Sequence, residues 1–176
     1  MTKARPPKPP AWALTHNREL WTHFDPIFDP SIVVDWSLAR NYRVTEQMQP
    51  GDRVIFWMTG EDGGVARIGF VISLDLTTVG SWEDANGKEH KNGYAGLFFL
   101  PPFPQGTYIA RSAIEETSAF QSSELGTPGV NSSTPPLRVE QDLLDVILGL
   151  AGELGESLWP SDLPRAFPDA LDDPED

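Results

Sequence analysis

Cysteine is absent from the 176 residues, which excludes disulfides, thiolate metal sites and a cysteine nucleophile. Histidine is scarce, and no H-E-x-x-H spacing indicates a zinc site. No apolar run approaches the roughly 20 residues of a membrane-spanning helix, and the opening MTKARPPKPP lacks the apolar stretch of a signal peptide. We therefore expect a soluble, cytoplasmic protein with no membrane contact and no metal or other cofactor.

The motifs of several large enzyme classes are also missing. The sequence contains no G-x-S-x-G, no G-x-x-x-x-G-K-[ST] and no G-x-G-x-x-G, so neither a nucleophile elbow nor a phosphate-cradling loop is indicated. Carboxylate pairs such as Glu61-Asp62 and Glu115-Glu116 lie in polar segments, where solvation explains them. His16 could act as a base or a ligand contact, although a strand-end histidine is more often structural. We expect a binding protein and no enzyme.

Negative charge dominates the chain, but it is unevenly distributed. The net charge is −13 at pH 7. Residues 1–60 carry seven basic and six acidic side chains, whereas the remainder carries six and twenty. This excess argues against wrapping of duplex DNA through phosphate contacts alone. Any contact with nucleic acid is expected in the first third of the chain.

The length suits one compact domain between two tails. Residues 1–10 hold four Pro and three basic side chains, which indicates a disordered arm. We assign residues 11–152 to the domain and residues 153–176 to an acidic, Pro-rich tail. No internal repeat is visible.

Periodicity and turn residues predict an α+β fold, built on a curved sheet or small open β-barrel with flanking helices. Polar residues 81–92 and 122–136 are expected to be a loop and a linker. The predicted strands are 11–15, 32–36, 53–58, 65–74, 94–100 and 107–110. The predicted helical segments are 17–24, 44–48, 112–120 and 139–150.

Three of the six Trp residues are candidates for a binding site. Trp36 ends a β-branched run, Trp57 lies near the end of RVIFWM, and Trp82 lies in a polar segment. Indole faces at strand ends can sandwich a flat base. Taken singly, Trp36 and Trp57 fit a hydrophobic core better, whereas Trp82 fits either role. Trp21 is interpreted as core.

The segment 35–43, DWSLARNYR, resembles the W-x-x-x-R-N-Y stretch of EVE domains. In that family a Met or Leu follows, then P/V-G-D, an apolar strand and a G-x-A/G-x-V strand. The matching residues here are Met48, Pro50-Gly51-Asp52, the strand 54–57 and the segment 68–71. The resemblance covers roughly residues 11–150 and is most specific over 35–71.

EVE domains belong to the PUA-like superfamily with YTH and ASCH domains, so the resemblance implies a barrel-like sheet with a base-binding cleft. It implies that Trp36 forms one wall of an aromatic cage and that Ser37 contacts the base edge. For Arg40-Asn41, a hydrogen-bonded pair that fixes the turn is an equal alternative to phosphate binding. The expected base-binding residues are Trp36, Ser37, Trp57, Trp82, Asn17 and Asp35. The expected phosphate-binding residues are Arg18, Arg40, Arg43 and Arg53.

The resemblance favours a module that binds a modified, methylated base in DNA or RNA, within a defence or restriction system. Since the chain has no nuclease motif, cleavage would require a partner protein. One alternative is an ASCH-like amidohydrolase on a modified nucleoside, which needs a buried Lys. Lys3 and Lys8 lie in the arm and Lys88 and Lys91 in the polar loop, with none expected on a strand. A second alternative function is that of a protein-interaction domain that uses the acidic tail.

Overall fold

The computed structural model of the chain describes residues 7–29, 33–39, 45–100, 103, 106–129 and 136–153. These residues form an α+β fold with seven strands and two α-helices. The strands are β1 (Ala11–His16), β2 (Val33–Ala39), β3 (Arg53–Met58), β4 (Gly64–Glu83), β5 (Glu89–Phe99), β6 (Ile109–Ala110) and β7 (Leu137–Val139). The helices are α1 (Ser118–Gln121) and α2 (Gln141–Glu153), and short 3-10 helices span Thr45–Gln47 and Arg111–Ala113.

The strands form one mixed sheet in the order β2-β5-β4-β3-β1-β7, with β6 beside β4. The pair β1–β3 is parallel, and the other pairs are antiparallel. Among the described strands, β2 and β7 lie at opposite ends of the order and do not pair, so the sheet is open. The predicted α+β class is confirmed. No helix in the described part of the chain has the length and apolar character that a membrane span requires.

The central strands contribute to two large hydrophobic cores because alternate side chains point to opposite faces. On β3, Ile55 and Trp57 join a core with α2, here called the helix-side core. Val54 and Phe56 face the other way, into the pocket-side core. Strand β1 is buried along its whole length and divides its side chains in the same way. The pocket-side core contains Trp12, Leu14, Phe24, Val34, Leu38, Met48, Val54, Phe56, Val71, Phe98 and Leu100.

The helix predicted over 17–24 is wrong, because side-chain hydrogen bonds fold this segment into turns. The Asn17 Oδ1 atom accepts from the Glu19 backbone N–H at 2.9 Å, and Asp25 Oδ1 accepts from Ile27 N–H at 3.0 Å. Asn and Asp offer the backbone such alternatives to helical bonds. The segment 17–29, here called the β1–β2 loop, therefore carries Trp21 on irregular backbone.

The polar loop predicted over 81–92 is also wrong, since β4 extends to Glu83 and β5 begins at Glu89. The turn between them is held by Asp84, whose Oδ1 accepts from the N–H groups of Asn86 and Lys88 at 2.9 and 3.0 Å. Both strands are polar here because they are exposed, so the apolar alternation that indicates a strand is weak.

The remaining differences lie near the ends of elements. The helix predicted over 112–120 is interrupted, since the 3-10 helix ends at Ala113, residues 114–117 form a turn and α1 begins at Ser118. Only residues 109–110 of the predicted strand 107–110 pair with β4. Helix α2 begins two residues late because Val139 belongs to β7, which pairs with β1.

Part of the predicted arm lies against the domain. Pro9 is buried, and Lys8 Nζ is 2.5 Å from Asp52 Oδ1. Residues 1–6, the segment 40–44 and the tail from residue 154 lie outside the described residues, so the domain boundaries stay a prediction.

A single buried arginine ties the β1–β2 loop to the sheet. Arg67, on β4, is fully buried, and its Nε donates to Pro26 O at 2.6 Å. Its Nη1 donates to Leu100 O at 3.2 Å, and Nη2 donates to Asp29 O. The guanidinium carbon also lies 5.2 Å from the centre of the Phe24 ring. One side chain thus joins β4 to the loop and to the end of β5.

Replacement of Arg67 by Met should lower the free energy of unfolding by at least about 3 kcal/mol, because several buried carbonyls would lose their donor. Urea denaturation at neutral pH measures this change. The matched control is Arg111→Met, since Arg111 makes an exposed i,i+4 ion pair with Glu115. That loss should stay below about 0.5 kcal/mol. Equal effects of the two substitutions would contradict the anchoring role of Arg67.

Candidate functional site

A pocket of about 560 Å³ opens where the β1–β2 loop meets strands β2, β4 and β5. Its size lies within the range of sites that bind small organic ligands. Aromatic, small and acidic side chains share the lining. The lining residues are Trp21, His23, Asp35, Trp36, Ser37, Gly80, Ser81, Trp82, Glu83, Ala95 and Gly96.

Two of the indoles support each other. The ring centres of Trp21 and Trp36 are 4.3 Å apart with an interplanar angle of 80°. Trp36 also packs edge to face on Phe56, at 4.9 Å and 77°. Such geometry suits the aromatic quadrupole. The pair is therefore held in place by the pocket-side core and still borders the pocket.

The third indole, Trp82, is positioned by its cross-strand partner. Trp82 on β4 pairs with His90 on β5, and their rings stack at 4.2 Å with a 10° interplanar angle. The His90 Nε2 atom lies 3.0 Å from Asp84 Oδ2. This hydrogen bond, with those from the turn backbone, holds the pKa of Asp84 below its usual value. The imidazole of His90 covers one face of the Trp82 indole, and the indole lines the pocket.

Small residues create the space beneath the indoles. A Cβ atom at Gly80 would lie 2.8 Å from Tyr94 O and 3.0 Å from Ser37 Oγ. A Cβ at Gly96 would come within 3.0 Å of Leu38 Cδ1. The lining residue that precedes Gly96 on β5 is Ala95, whose side chain is a single methyl group. Larger residues here would either strain the strands or fill the pocket.

A buried histidine lies behind the aromatic wall. His16 has no exposed surface, and neither ring nitrogen has a hydrogen-bond partner among the described residues. Its ring centre is 5.2 Å from that of Trp21 and 5.7 Å from those of Trp36 and Phe56. Burial lowers the pKa of His16 from 6.5 to about 4. At neutral pH the imidazole is therefore an uncharged packing element, which favours the structural interpretation of this residue.

Four predicted base-binding residues meet in the pocket: Asp35, Trp36, Ser37 and Trp82. Trp57 does not join them. It is only 2% exposed in the helix-side core, with its ring centre 5.6 Å from that of Phe120. The prediction for Trp57 is wrong because strand alternation places it on the face opposite Phe56, which contacts Trp36.

Asn17 and Arg18 line a separate hollow of about 740 Å³, which shares Trp21 with the pocket. Asn17 Oδ1 is engaged in its turn, and Arg18 Nη2 is bound to Asp25 Oδ2 at 2.5 Å. Glu19, Glu61 and Asp62 also line this hollow, so its charge does not favour a phosphate. Asn17 as a base contact and Arg18 as a phosphate contact therefore do not fit the geometry.

The other predicted phosphate contacts are not among the pocket's described lining residues. Arg53 is exposed at the start of β3. Arg40 and Arg43 lie outside the described residues, so their role stays a prediction.

The sequence interpretation missed several lining residues, of which Trp21 is the largest. Trp21 was assigned to the core of a helix that does not form. The polar lining residues of β4, Ser81 and Glu83, fall within the segment 81–92 that the sequence predicts to be a loop. The segment Asp84–Lys88 carries an A-N-G sequence, and that turn signal between Trp82 and His90 could have indicated the hairpin.

The described residues hold neither a group of metal-ligating side chains nor a buried lysine. Within the described ranges, no three His, Asp or Glu side chains lie close enough together to hold a metal ion. Lys91 lies on β5, contrary to the expectation that no Lys lies on a strand, but it is 64% exposed and 2.9 Å from Glu89. The described lysines are all exposed, so none supplies the buried amine that an amidohydrolase of the ASCH kind would need.

Comparison with known proteins identifies relatives of the fold only. No protein-family model matches the chain, and no curated protein matches it significantly. An NMR structure of a structural-genomics target from Rhodopseudomonas palustris is similar with a TM-score of 0.54 and 16% identity, over 83% of this chain and 95% of that one. A crystal structure of a Pseudomonas putida target is similar with a TM-score of 0.51 and 17% identity, over 80% and 99%. At these identities the likeness concerns architecture alone.

The buried His16 should make stability depend on pH in a defined window. Its pKa is lowered in the folded state, so the unfolded chain binds the proton more readily between about pH 4 and 6.5. The contribution of His16 to the free energy of unfolding is fully present above pH 6.5. It should fall by on the order of 3 kcal/mol as the pH drops through this window. Urea denaturation of the protein and of His16→Phe measures the contribution as a difference.

The His16→Phe variant should show a flatter pH dependence between pH 6.5 and 4.5. His23→Gln is the control, since His23 is exposed and its substitution should leave the pH dependence as in the parent. A His16→Phe profile parallel to that of the parent would rule out a buried neutral His16.

Proposed function

We propose that this chain is an EVE-type module of the PUA-like superfamily, which recognises a modified nucleobase in DNA or RNA by accepting it, flipped out, into the aromatic pocket. The observation that carries the proposal is the gathering of Trp21, Trp36 and Trp82 around one hollow of suitable volume. The resemblance of residues 35–71 to EVE domains also supports it, and that segment includes residues 35–39 of the pocket strand β2.

Stacking supplies the affinity in this proposal. A base that leaves the helical stack loses its stacking partners, and an aromatic slot restores them. Each base stacked on an aromatic side chain contributes about 1–3 kcal/mol. A methyl group buried in the slot adds about 0.8 kcal/mol, which is roughly a fourfold gain in affinity.

Polar groups beside the indoles supply selectivity. Ser37, Ser81 and Asp35 line the same pocket and can exchange hydrogen bonds with a base edge. Arg40 and Arg43 follow the pocket strand directly in sequence and are the proposed contacts for flanking phosphates. Few phosphates are touched in this arrangement, so affinity should fall only shallowly with salt. The partner is a nucleic acid carrying the modified base, and a separate nuclease would perform any cleavage.

Binding of short single-stranded oligonucleotides tests the proposal. The panel contains unmodified cytosine and adenine, 5-methylcytosine, 5-hydroxymethylcytosine and methylated adenine, and tryptophan fluorescence reports stacking. At least one modified member should bind more tightly than its unmodified counterpart. Trp82→Ala should weaken that binding by about 5- to 150-fold, which corresponds to one lost stacking contact.

Two further variants separate loss of the site from loss of the fold. Ala95→Leu should weaken binding by filling the pocket, with the far-ultraviolet circular dichroism unchanged. Trp57→Phe is the matched Trp control, since Trp57 lies in the helix-side core and its substitution should leave affinity unchanged. Failure of every oligonucleotide to bind the folded protein, or unchanged affinity in Trp82→Ala, would refute the proposed function.

A further inference from the structure

In the described part of the chain, the carboxylates that line the pocket have no basic lining residue beside them. Asp35 and Glu83 line it, and no Lys or Arg is among its described lining residues. The other titratable lining group is His23, which is exposed on the β1–β2 loop. On the β1–β2 loop, Arg18 lies three residues before Trp21 in sequence, and its guanidinium is engaged by Asp25 at 2.5 Å.

The aromatic groups add to this preference. Indole faces carry negative electrostatic potential and attract cations, and Trp is the most effective side chain in this respect. Three indoles and two carboxylates therefore border one hollow. An uncharged base gains only stacking and hydrogen bonds there, whereas a positively charged base also gains cation–π and charge–charge attraction.

We infer that the pocket is selective for bases that methylation makes cationic, over their uncharged methylated isomers. This inference rests on the proposed function and narrows its ligand class. Methylation at a ring nitrogen of the Watson–Crick edge, as in 1-methyladenine or 3-methylcytosine, leaves the base positively charged at neutral pH. Methylation at N6 of adenine or C5 of cytosine leaves it neutral.

Isomeric nucleosides isolate the charge from the apolar area. 1-Methyladenosine and N6-methyladenosine contain the same heavy atoms, as do 3-methylcytidine and 5-methylcytidine, so the members of each pair differ in the position of the methyl group and in one bound proton. Free nucleosides also remove the phosphates, whose repulsion by this acidic protein would obscure the comparison. Titrations at pH 7 and low salt, read by tryptophan fluorescence, should give at least about fivefold tighter binding for the cationic member of a pair.

Single charge-neutralising substitutions test which groups cause the preference. Asp35→Asn and Glu83→Gln should each reduce the ratio of the affinity for the cationic isomer to that for the neutral isomer by at least about twofold. Glu116→Gln is the control, because Glu116 is exposed and is not a pocket-lining residue. Added salt should narrow the preference in the parent protein as the carboxylates are screened.

The outcomes separate this inference from the function on which it rests. Neutral isomers that bind as tightly as the cationic ones, or more tightly, would overturn the charge selectivity while the modified-base function stands. A preference that survives both carboxylate substitutions undiminished would also overturn it. If neither the nucleosides nor any oligonucleotide of the panel binds the folded protein, the proposed function fails and this inference fails with it.

Discussion

The guanidinium of Arg67 is the constraint on which the pocket depends. It donates to carbonyls of the β1–β2 loop and of Leu100 from a fully buried position. The same group lies over Phe24, whose ring centre is 5.9 Å from that of Trp21. Trp21 in turn packs edge to face on Trp36. A chain of contacts therefore runs from a buried cation on the central strand β4 through the irregular β1–β2 loop to the aromatic wall.

Because side chains alternate along each strand, the two faces of the sheet have different roles. The face that carries Ile55 and Trp57 packs on α2 and stabilises the domain, whereas Phe56 on the other face supports Trp36. Adjacent residues of one strand thus serve different purposes. His16 supports the pocket in the same way as Phe56, since its uncharged ring fills the space behind the indoles. Its lowered pKa is the electrostatic consequence of that position.

The pocket itself arises from the twist and bulges of the β4–β5 hairpin. The pairing of β4 with β5 shifts register between Asp75 and Val79 and again between Gly80 and Trp82. Bulges bend the bulged strand and increase its local twist. Glycines at 80, 93 and 96 permit the close approach, and a Cβ at Gly93 would lie 2.2 Å from Ser37 Oγ. These features bring Trp82 to the same hollow as Trp36, although 46 positions separate them in sequence.

Local patterns in the sequence determined the α+β class, strands β1 and β3, most of α2, and the selection of Trp36 and Trp82 as candidates, whereas Ser37 and Asp35 were expected from the resemblance to EVE domains. β-Branched runs, turn residues and helical spacing are properties of neighbouring residues, and no tertiary contact is needed to recognise them. Tertiary structure decided that Trp57 is core and that Trp21 is part of the wall, since these assignments depend on which face of β3 is covered and on a loop held by a distant arginine. It also decided the long polar hairpin, because exposed strands lack the apolar alternation that reveals buried ones.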